Sequence, residues 1–527
     1  MNKTTVRNFS TRARAGIDRR AFVKTAALAG AGLAAGPAIA RAAKIPAKDR
    51  AAKRAAQNAA AQAAAPDATP VAGFDATGKP NVLMICIDDL RTWVNCLGYS
   101  QAKTPNIDRL FAMGVTLTRA YCPAPVCNPS RTALLTGLRP STTGVYNNGD
   151  DWRVNKIIGD APTLPLWLTR HGYNTFGAGK IYHDNYRRES DWTEYPKYET
   201  QKALPSPESR AGVLDIKFRP LIAKDSDMVD HHTVDYCIDV LNRKHDKPFL
   251  IGCGLHKPHM PWEVPQKYFD MYPLDKLELP KVQPNLDALP ASGKRMALAG
   301  GQHEAMLKTG RWKEAVQAYL ACITFLDAQI GRLLDAFDKC AHKDNTIILF
   351  WVDHGWHLGE QQHWRKFCLW ENAARVPVMW RVPGMTKPGA RCERTLDHTG
   401  IFPTLCDLLG LPLPPQQLEG ASYRALLENP GAAWNRPALT TFMQNNHSVR
   451  TEKWRYIRYK DGGEELYDHD TDPLEWNNLA GDPRHDALKK DLAKWFPKVN
   501  VTMQSAGAKK AKNAGKGANA AAGDSDE

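Results

Sequence analysis

Three short apolar runs constrain the fold of this chain more than any other feature of its sequence. They are NVLMICID at residues 81–88, PFLIGCGL at residues 248–255 and NTIILFWVD at residues 345–353. Each run contains β-branched residues and lacks the alternating polar positions of a half-exposed strand, so each predicts a strand that is buried on both faces. Strands of this kind occur in sheets that helices cover on both sides.

The segments between these runs alternate between helical and extended patterns. The longest, residues 312–340, has apolar residues three and four positions apart and predicts an amphipathic helix. Shorter helices are predicted near NIDRLFAMG and LPLWLTRHG, and further strands at VTLTRAY and NTFGAGK. The β–α alternation predicts an α/β domain with helices on both faces of its sheet.

The pattern changes after the segment GIFPTLCDLLGL. The segment WRYIRYKDGGEELYDHDTDP predicts an antiparallel hairpin with a Gly-Gly turn. A final helix is predicted at ALKKDLAKWF, where it would pack on the hairpin. Residues 420–500 are therefore predicted to form a small α+β subdomain.

The N-terminus has the pattern of an export signal. Residues 1–42 place Arg19 and Arg20 before the run TAALAGAGLAAGPAIA, which is typical of a twin-arginine signal peptide. This predicts a bacterial protein that is periplasmic or secreted and whose partner is the twin-arginine export machinery. The run is short and rich in glycine, so a stable membrane anchor is not expected, although an N-terminal anchor helix is the alternative.

Two low-complexity segments flank the predicted folded body. Residues 43–78 are rich in Ala, Lys and Gln without an apolar stripe and predict a disordered linker. Residues 501–527 predict a disordered tail of similar composition.

Composition narrows the classes of ligand and cofactor. The formal net charge of +14 favours anionic substrates, and the absence of zinc-finger spacing and of RNA-binding aromatic motifs argues against nucleic acid. Eleven cysteines in a chain of 527 residues are not the pattern of a disulfide framework, and the absence of a CxxC pair argues against zinc or iron–sulfur sites. Pairing of some cysteines after export stays open.

Charged side chains follow the predicted strands at the points where these strands end. In an open α/β sheet, ligands gather at the carboxyl ends of the strands. Taken singly, such residues are often helix caps or solvated strand ends. Together they predict one ligand-binding rim, formed by Asp88, Asp89, Lys180, His183, His256, Lys257, His259, Asp353, His354 and Lys366.

The residue types on this rim indicate a reaction class. Three aspartates supply hard oxygen ligands, which suit calcium or magnesium better than zinc. Arg131, Lys180 and Lys366 supply positive charge and hydrogen-bond donors for a tetrahedral oxyanion. A divalent cation beside such cations predicts transfer of a sulfuryl or phosphoryl group.

The segment CNPSRTALLTG, which begins at Cys127, resembles the signature of formylglycine-dependent sulfatases. The segments NVLMICIDDLR, TPNIDRL, GKIYH, HKPHMPW, DHGWHLGEQQHW and ELYDHDTDP are similar to the iduronate-2-sulfatase group of that family. The resemblance implies an alkaline-phosphatase-like α/β fold with a large mixed sheet sandwiched by helices and a small C-terminal α+β subdomain. It makes residues 79–419 the catalytic domain.

The resemblance also implies a modified nucleophile and a metal. It implies that a formylglycine-generating maturation enzyme converts Cys127 to Cα-formylglycine, whose hydrate is the nucleophile. It implies a Ca²⁺ ion bound by Asp88, Asp89, Asp353 and His354, with the modified Cys127 completing the ligand set.

The remaining roles are implied residue by residue. Arg131 would hold the hydrate, and Lys180 and Lys366 would bind the sulfate group. His259 would protonate the leaving oxygen as general acid, and His183 would act as the base that releases sulfate.

The substrate is less constrained than the reaction. Trp356 agrees with the family pattern and is expected to bind substrate together with Lys180, His259 and Lys366. Residues 185–230 and the segment GEQQHWRKF depart from the iduronate-2-sulfatase pattern, so uronate specificity stays open. The expected function is hydrolysis of a sulfated sugar or polysaccharide. The alternatives are an arylsulfatase, a phosphonate or phosphate ester hydrolase of the same superfamily, and an inactive sulfated-glycan-binding protein.

Overall fold

A computed structural model of the chain describes residues 78–183, 186–197, 200–209 and 211–503. The predicted signal peptide, residues 43–77 of the predicted linker and residues 504–527 of the predicted tail lie outside these residues. The strands in the described residues are β1 (Asn81–Ile87), β2 (Val115–Tyr121), β3 (Asn174–Gly179), β4 (Phe218–Leu221), β5 (Phe249–Leu255), β6 (Trp262–Pro265), β7 (Thr346–Val352), β8 (His357–Leu358), β9 (Trp364–Arg365), β10 (Arg375–Arg381), β11 (Ala390–Asp397), β12 (Ala438–Thr441), β13 (His447–Arg450), β14 (Trp454–Arg458) and β15 (Glu464–Asp468).

The α-helices of the described residues include one of 28 residues that corresponds to the predicted amphipathic helix. They are α1 (Pro105–Ala112), α2 (Cys127–Thr136), α3 (Pro140–Thr143), α4 (Leu164–Arg170), α5 (Val229–Asn242), α6 (Gln266–Phe269), α7 (Ala291–Ala297), α8 (Gln302–Thr309), α9 (Trp312–Lys339), α10 (Glu371–Ala374), α11 (Ile401–Leu408), α12 (Arg424–Glu428) and α13 (Asp486–Ala493). Within the part of the chain that the structure describes, none of them combines the length and the apolar character needed to cross a bilayer.

A seven-stranded mixed sheet forms the centre of the fold, in the order β11-β2-β10-β7-β1-β5-β3. The strands β7, β1, β5 and β3 are parallel to one another, whereas β10 is antiparallel to both β7 and β2. Every residue of β1, β5 and β7 is buried, as their continuous apolar runs predict. The predicted α/β class with a large mixed sheet is therefore confirmed.

The register of the central strands brings their carboxyl ends to one edge of the sheet. Ile87, the last residue of β1, pairs with Leu255 of β5 and with Val352 of β7. Because parallel strands in register end together, the residues that follow each of them meet at the same edge. Helix α5 packs on β5 and β3, and α9 packs on α5 and α1, so helices cover this part of the sheet.

A second, antiparallel sheet lies near the C-terminus, in the order β12-β13-β14-β15. Its β14–β15 hairpin spans the predicted Gly-Gly turn, at which Gly462 has a φ of 87°. Leu492 of α13 packs with Val449 and Leu466 of this sheet. The antiparallel sheet with its helix is confirmed, and the boundary near residue 420 stays a prediction.

The eleven cysteines of the chain all lie in the described residues and carry free thiols. Ten of them are buried, and Cys96 is half-buried.

Candidate active site

The first part of the site is the turn that follows β1. Asp88 and Asp89 are completely buried there, and Asp89 has a φ of 59°, a left-handed conformation that is costly for a residue with a side chain. Two interactions hold it: the Asp89 amide donates to Asp353 Oδ1 (3.1 Å), and the Tyr319 hydroxyl donates to the Asp89 carbonyl (2.7 Å). The turn thus presents two adjacent carboxylates at the sheet edge.

The second part is the start of helix α2, which brings Cys127 to the same edge. Val126 has an extended backbone, α2 begins at Cys127, and all ten residues of the helix are buried. The Ser130 hydroxyl donates to the Asp353 carbonyl (2.6 Å), which fixes the first turn of α2 against the end of β7. Cys127 Sγ lies 3.3 Å from His354 Nε2 and 3.3 Å from Lys366 Nζ.

Arg131 connects the carboxylates from one turn further along α2. Its Nε lies 2.9 Å from Asp353 Oδ2, and its Nη2 lies 3.3 Å from Asp88 Oδ1. Its Nη1 also donates to the backbone carbonyls of Lys180 and Ile181. Burial opposes the charge of Arg131, but the two carboxylates outweigh it and raise its pKa above the usual value. Arg131 is therefore a permanent cation inside the site.

Two lysines approach the site from different elements. Lys180 directly follows β3, and its Nζ lies 2.5 Å from Asp88 Oδ2. Gly179 has a φ of 69°, and a Cβ added there would lie 2.0 Å from the Gly254 carbonyl oxygen, so this turn requires glycine. Lys366 comes from the loop after β9, and its Nζ lies 3.2 Å from Asp89 Oδ1. Both lysines are buried.

Four of the predicted metal ligands form one group. One ligand atom from each of Asp88, Cys127, Asp353 and His354 lies within 4.8 Å of the others. Burial raises the pKa of Asp353 to about 7, with a further contribution from Asp88, so two buried carboxylates face each other. Burial lowers the pKa of His354 well below its usual value, which leaves a neutral imidazole. Carboxylates in this position fit a hard divalent cation such as Ca²⁺.

Asp89, the remaining predicted ligand, borders this group. Its Oδ1 lies 3.1 Å from His354 Nδ1, and it also forms a second group with Cys127 and His259. Its direct coordination of a metal stays a prediction. The structure nevertheless brings Asp88, Asp89, Asp353, His354, Arg131, Lys180 and Lys366 together around Cys127, and these eight residues are called the site cluster below.

The two histidines with predicted proton-transfer roles lie at this edge of the sheet. His259 is half-buried, its Nε2 lies 3.8 Å from Asp89 Oδ2, and its Nδ1 lies 2.6 Å from the Met260 carbonyl oxygen. His183 lies three residues after Lys180 and is nearly buried, with its ring centroid 6.0 Å from that of Tyr186. Their roles as acid and base stay predictions.

Trp356, the predicted wall of the sugar subsite, is completely buried. Lys366 Nζ lies 5.3 Å from the centroid of its ring, and the ring packs edge-on against Trp262. The buried Trp356 ring therefore packs against the ammonium group of Lys366. A direct contact between Trp356 and a sugar stays a prediction.

Some residues of the site were missed from sequence. Tyr319, on α9, holds the turn after β1 through the Asp89 carbonyl and the Arg91 amide (3.1 Å). Asp230, on α5, accepts the backbone amides of His256 (2.8 Å) and Lys257 (2.9 Å) and so shapes the segment that carries His259. Neither residue lies in a motif or at a strand end, so the sequence carries no local signal for either role.

The site cluster combines buried carboxylates with the cations Arg131, Lys180 and Lys366 around Cys127, and sequence comparison gives the class of protein. The family model described as Sulfatase matches residues 80–411, and the model described as N-sulphoglucosamine sulphohydrolase, C-terminal, matches residues 359–502. The chain belongs to the sulfatase family. It is therefore a sulfuric ester hydrolase.

Individual relatives agree with this assignment. The chain is 36% identical over 449 residues to a sulfatase of Formosa agariphila, covering 81% of this chain and 88% of that protein. It is 29% identical to the iduronate 2-sulfatase of Mus musculus, covering 80% of this chain and 94% of that protein. A solved phosphonate monoester hydrolase from Silicibacter pomeroyi shares the fold, with a TM-score of 0.66, 21% identity, and coverage of 79% of this chain and 94% of that one.

Proposed function

We propose that this protein is an exported sulfatase that hydrolyses sulfate esters of a sulfated sugar or polysaccharide. The observation that carries the proposal is the position of Cys127, which begins a buried helix and contacts both His354 and Lys366 within the site cluster. The sulfatase of Formosa agariphila and the murine iduronate 2-sulfatase support the reaction, and the second relative supports a sugar substrate.

The nucleophile requires maturation of Cys127. Burial raises the pKa of its thiol well above the usual value, and Asp88 raises it further, so the unmodified residue is a poor nucleophile. When converted to Cα-formylglycine, this position supplies a hydrated aldehyde with two hydroxyls. One hydroxyl attacks sulfur and displaces the alcohol of the ester. Deprotonation of the other hydroxyl then re-forms the aldehyde and breaks the C–O bond to the sulfate, which leaves.

The cations of the site hold the sulfate group and the nucleophile. A bound Ca²⁺ ion would polarise the hydrate and a sulfate oxygen, with Asp88, Asp89, Asp353 and His354 as its ligands. Arg131 keeps its charge beside the hydrate and lowers the pKa of the attacking hydroxyl. Lys180 and Lys366 neutralise the charge that grows on the sulfate oxygens as the S–O bond breaks.

Two histidines transfer protons in different steps of the reaction. The Met260 carbonyl accepts from Nδ1 of His259, which leaves Nε2 to donate a proton to the leaving alcohol oxygen. His183 removes a proton from the second hydroxyl, so sulfate leaves without attack by water at sulfur.

The burial of Cys127 bears on when it matures. Its side chain has no exposed surface in the folded chain, so the maturation enzyme must reach it before the site closes. Twin-arginine export carries folded proteins. We therefore place the conversion in the cytoplasm and the action of the enzyme in the periplasm or outside the cell.

The test combines peptide mass and sulfate release. The tryptic peptide that contains Cys127 should show the mass loss of a thiol converted to an aldehyde, and defined sulfated oligosaccharides should release sulfate measurable by ion chromatography. Cys127→Ala should lower turnover more than a thousandfold while the thermal midpoint stays unchanged. Cys96→Ala, at a half-buried cysteine outside the site, is the matched control and should keep full activity.

Two results would contradict the proposed sulfatase function or its nucleophile. Faster hydrolysis of a phosphonate monoester than of any sulfate ester would favour the phosphonate hydrolase, whose fold this chain shares. Undiminished sulfate release by Cys127→Ala would reject the nucleophile.

A further inference from the structure

A cleft adjoins the site cluster at His259. It has a volume of about 560 Å³, counted out to open solvent, and lies between the segment 200–209, the start of α5 and the loop 256–263. His259 belongs to both regions, because it lines this cleft while its Nε2 lies 3.8 Å from Asp89 Oδ2. An alcohol that takes a proton from His259 therefore leaves next to the cleft.

The apolar lining of the cleft suits a sugar ring. The apolar part of the lining includes Leu204, Leu221, Met228 and Met260, which present hydrocarbon surface for the C–H face of a ring.

The two carboxylates of the lining are already engaged. Asp230 accepts the amides of His256 and Lys257, and its Oδ1 lies 3.4 Å from His256 Nδ1. Glu263 forms an ion pair with Arg219, with Nε and Oε1 2.7 Å apart. Among the described residues, neither carboxylate forms an ion pair with a lysine of the cleft.

Two lysines supply the remaining charge. The buried Lys257 donates to the Pro261 carbonyl (2.5 Å). The exposed Lys202 lies at the rim, and within the described residues it forms no ion pair. A flexible ammonium group at the mouth of a cleft recognises an anion as a point charge.

We propose that this cleft binds the alcohol side of the ester and that Lys202 selects substrates with a second anionic group beside the sulfate. This inference rests on the proposed sulfatase function. The second group is a carboxylate or another sulfate on the sugar, since both present oxygens to an ammonium group in the same way.

Three matched substrates test the inference in the full-length, matured enzyme. They are a monosulfated disaccharide with a uronate, its carboxyl-reduced counterpart, and the reduced compound with a second sulfate. For Lys202→Ala, the ratio of kcat/KM for the anionic over the reduced substrate should fall about tenfold, the value of one charge-assisted contact, mainly through KM. A fall with the uronate alone identifies a carboxylate, and a fall with the disulfated compound alone identifies a sulfate.

Control variants separate local recognition from net charge. Lys308→Ala removes an exposed lysine on α8 that does not line the cleft, and it should leave the ratio unchanged. Lys202→Arg should restore most of the parent enzyme's kcat/KM ratio. An equal loss on all three substrates, or an unchanged ratio in Lys202→Ala, would overturn the inference.

A binding measurement keeps this result apart from the catalytic proposal. Calorimetric titration with the desulfated uronate disaccharide should give a dissociation constant that rises about tenfold in Lys202→Ala. If the enzyme released no sulfate but bound this product through Lys202, the proposed function would fail and the cleft would stand. If the enzyme released sulfate but Lys202→Ala left the dissociation constant of the product unchanged, the cleft assignment would be wrong and the proposed function would stand.

Discussion

Two buried clusters of charge in this protein differ in the pKa of their carboxylates. The site cluster surrounds Cys127, and two of its carboxylates, Asp88 and Asp353, are close enough that one raises the pKa of the other. The second cluster, here called the C-terminal network, consists of Arg450, Arg455, Glu371, His469 and Glu475. In this network each carboxylate is paired with an arginine, and Arg455 is paired with both Glu371 and Glu475.

The two clusters have different roles: the site cluster forms the candidate active site, and the C-terminal network supports one of its loops. The C-terminal network contains three residues of metal-ligand type, Glu371, His469 and Glu475, and Arg455 pairs with both of these carboxylates. Arg455 also holds the loop that carries Lys366, because its Nη1 donates to the Leu369 carbonyl (2.9 Å). The ion pairs of the C-terminal network hold the pKa of Glu371 and Glu475 below the usual value and support the loop. In the site cluster the pKa of Asp353 is raised, although Arg131 pairs with both Asp88 and Asp353.

The largest expected difference between the clusters is their response to calcium. Asp88→Asn removes a carboxylate of the site cluster, so we expect turnover to fall more than a thousandfold, equivalent to about 4 kcal/mol in the barrier. Calcium at a hundredfold excess over its dissociation constant should stabilise the parent enzyme by about 2.7 kcal/mol, and the variant should lose this gain. Sulfate release and thermal unfolding with and without a chelator measure both effects.

The matched control for that experiment is Asp327→Asn, at a buried carboxylate that caps α1 away from the site. It should keep the calcium response. A calcium response that survived in Asp88→Asn would contradict the metal assignment.

Disrupting the C-terminal network should mainly lower the free energy of unfolding. Arg455→Met leaves Glu371 and Glu475 buried without their shared partner, so we expect a loss of about 3–5 kcal/mol in the free energy of unfolding. Activity should fall through the loop that carries Lys366, while calcium still raises the thermal midpoint. Denaturant unfolding measures the loss, and Arg484→Ala, at an exposed ion pair with Asp482, should show no measurable change. Equal effects of the two variants would argue against a supporting network.

A smaller effect is expected where the backbone presents Lys180. Gly179→Ala places a Cβ against the Gly254 carbonyl in a left-handed turn, and we expect a destabilisation of about 3 kcal/mol together with reduced sulfate binding. Gly98→Ala is the control, because Gly98 has a φ of 97° but no atom within 4 Å of an added Cβ. If both variants lost the same stability and neither lost activity, the close approach at Gly179 would be irrelevant to Lys180.

The smallest effect concerns pH. Burial raises the pKa of Glu465 to about 7, although Trp370, Tyr459 and Tyr467 all donate to it. The folded state thus binds its proton more tightly than the unfolded state, so stability falls as the pH rises from about 4.5 to 7 and then levels off. Glu465→Gln should abolish this fall, which amounts to about 3 kcal/mol in the free energy of unfolding.

Chemical unfolding between pH 4.5 and 8 would reveal the change in slope. The control is Glu464→Gln, on the same strand with a half-buried side chain, which should keep the parent profile. An identical pH profile in Glu465→Gln would show that Glu465 is ionised in the folded protein.

The sequence predicted the parts of the molecule that depend on local pattern. Continuous apolar runs identified β1, β5 and β7, and spacing of apolar residues identified α9. Polar residues directly after these strands identified Asp88 and Asp353, because parallel strands end at one edge. The motif at Cys127 indicated the family, which sequence comparison confirms, and it predicts the nucleophile.

Only the tertiary structure decided which distant groups share one buried environment. It inserted β10 antiparallel between β7 and β2, brought Tyr319 of α9 under the turn at Asp89, and joined Arg455 to the loop of Lys366. It also opened a cleft beside His259, with Lys202 at its rim. Periodicity reports the burial of each segment alone, whereas these contacts arise between segments that lie hundreds of residues apart or in separate layers. Their energies depend on desolvation and distance, which no local pattern records.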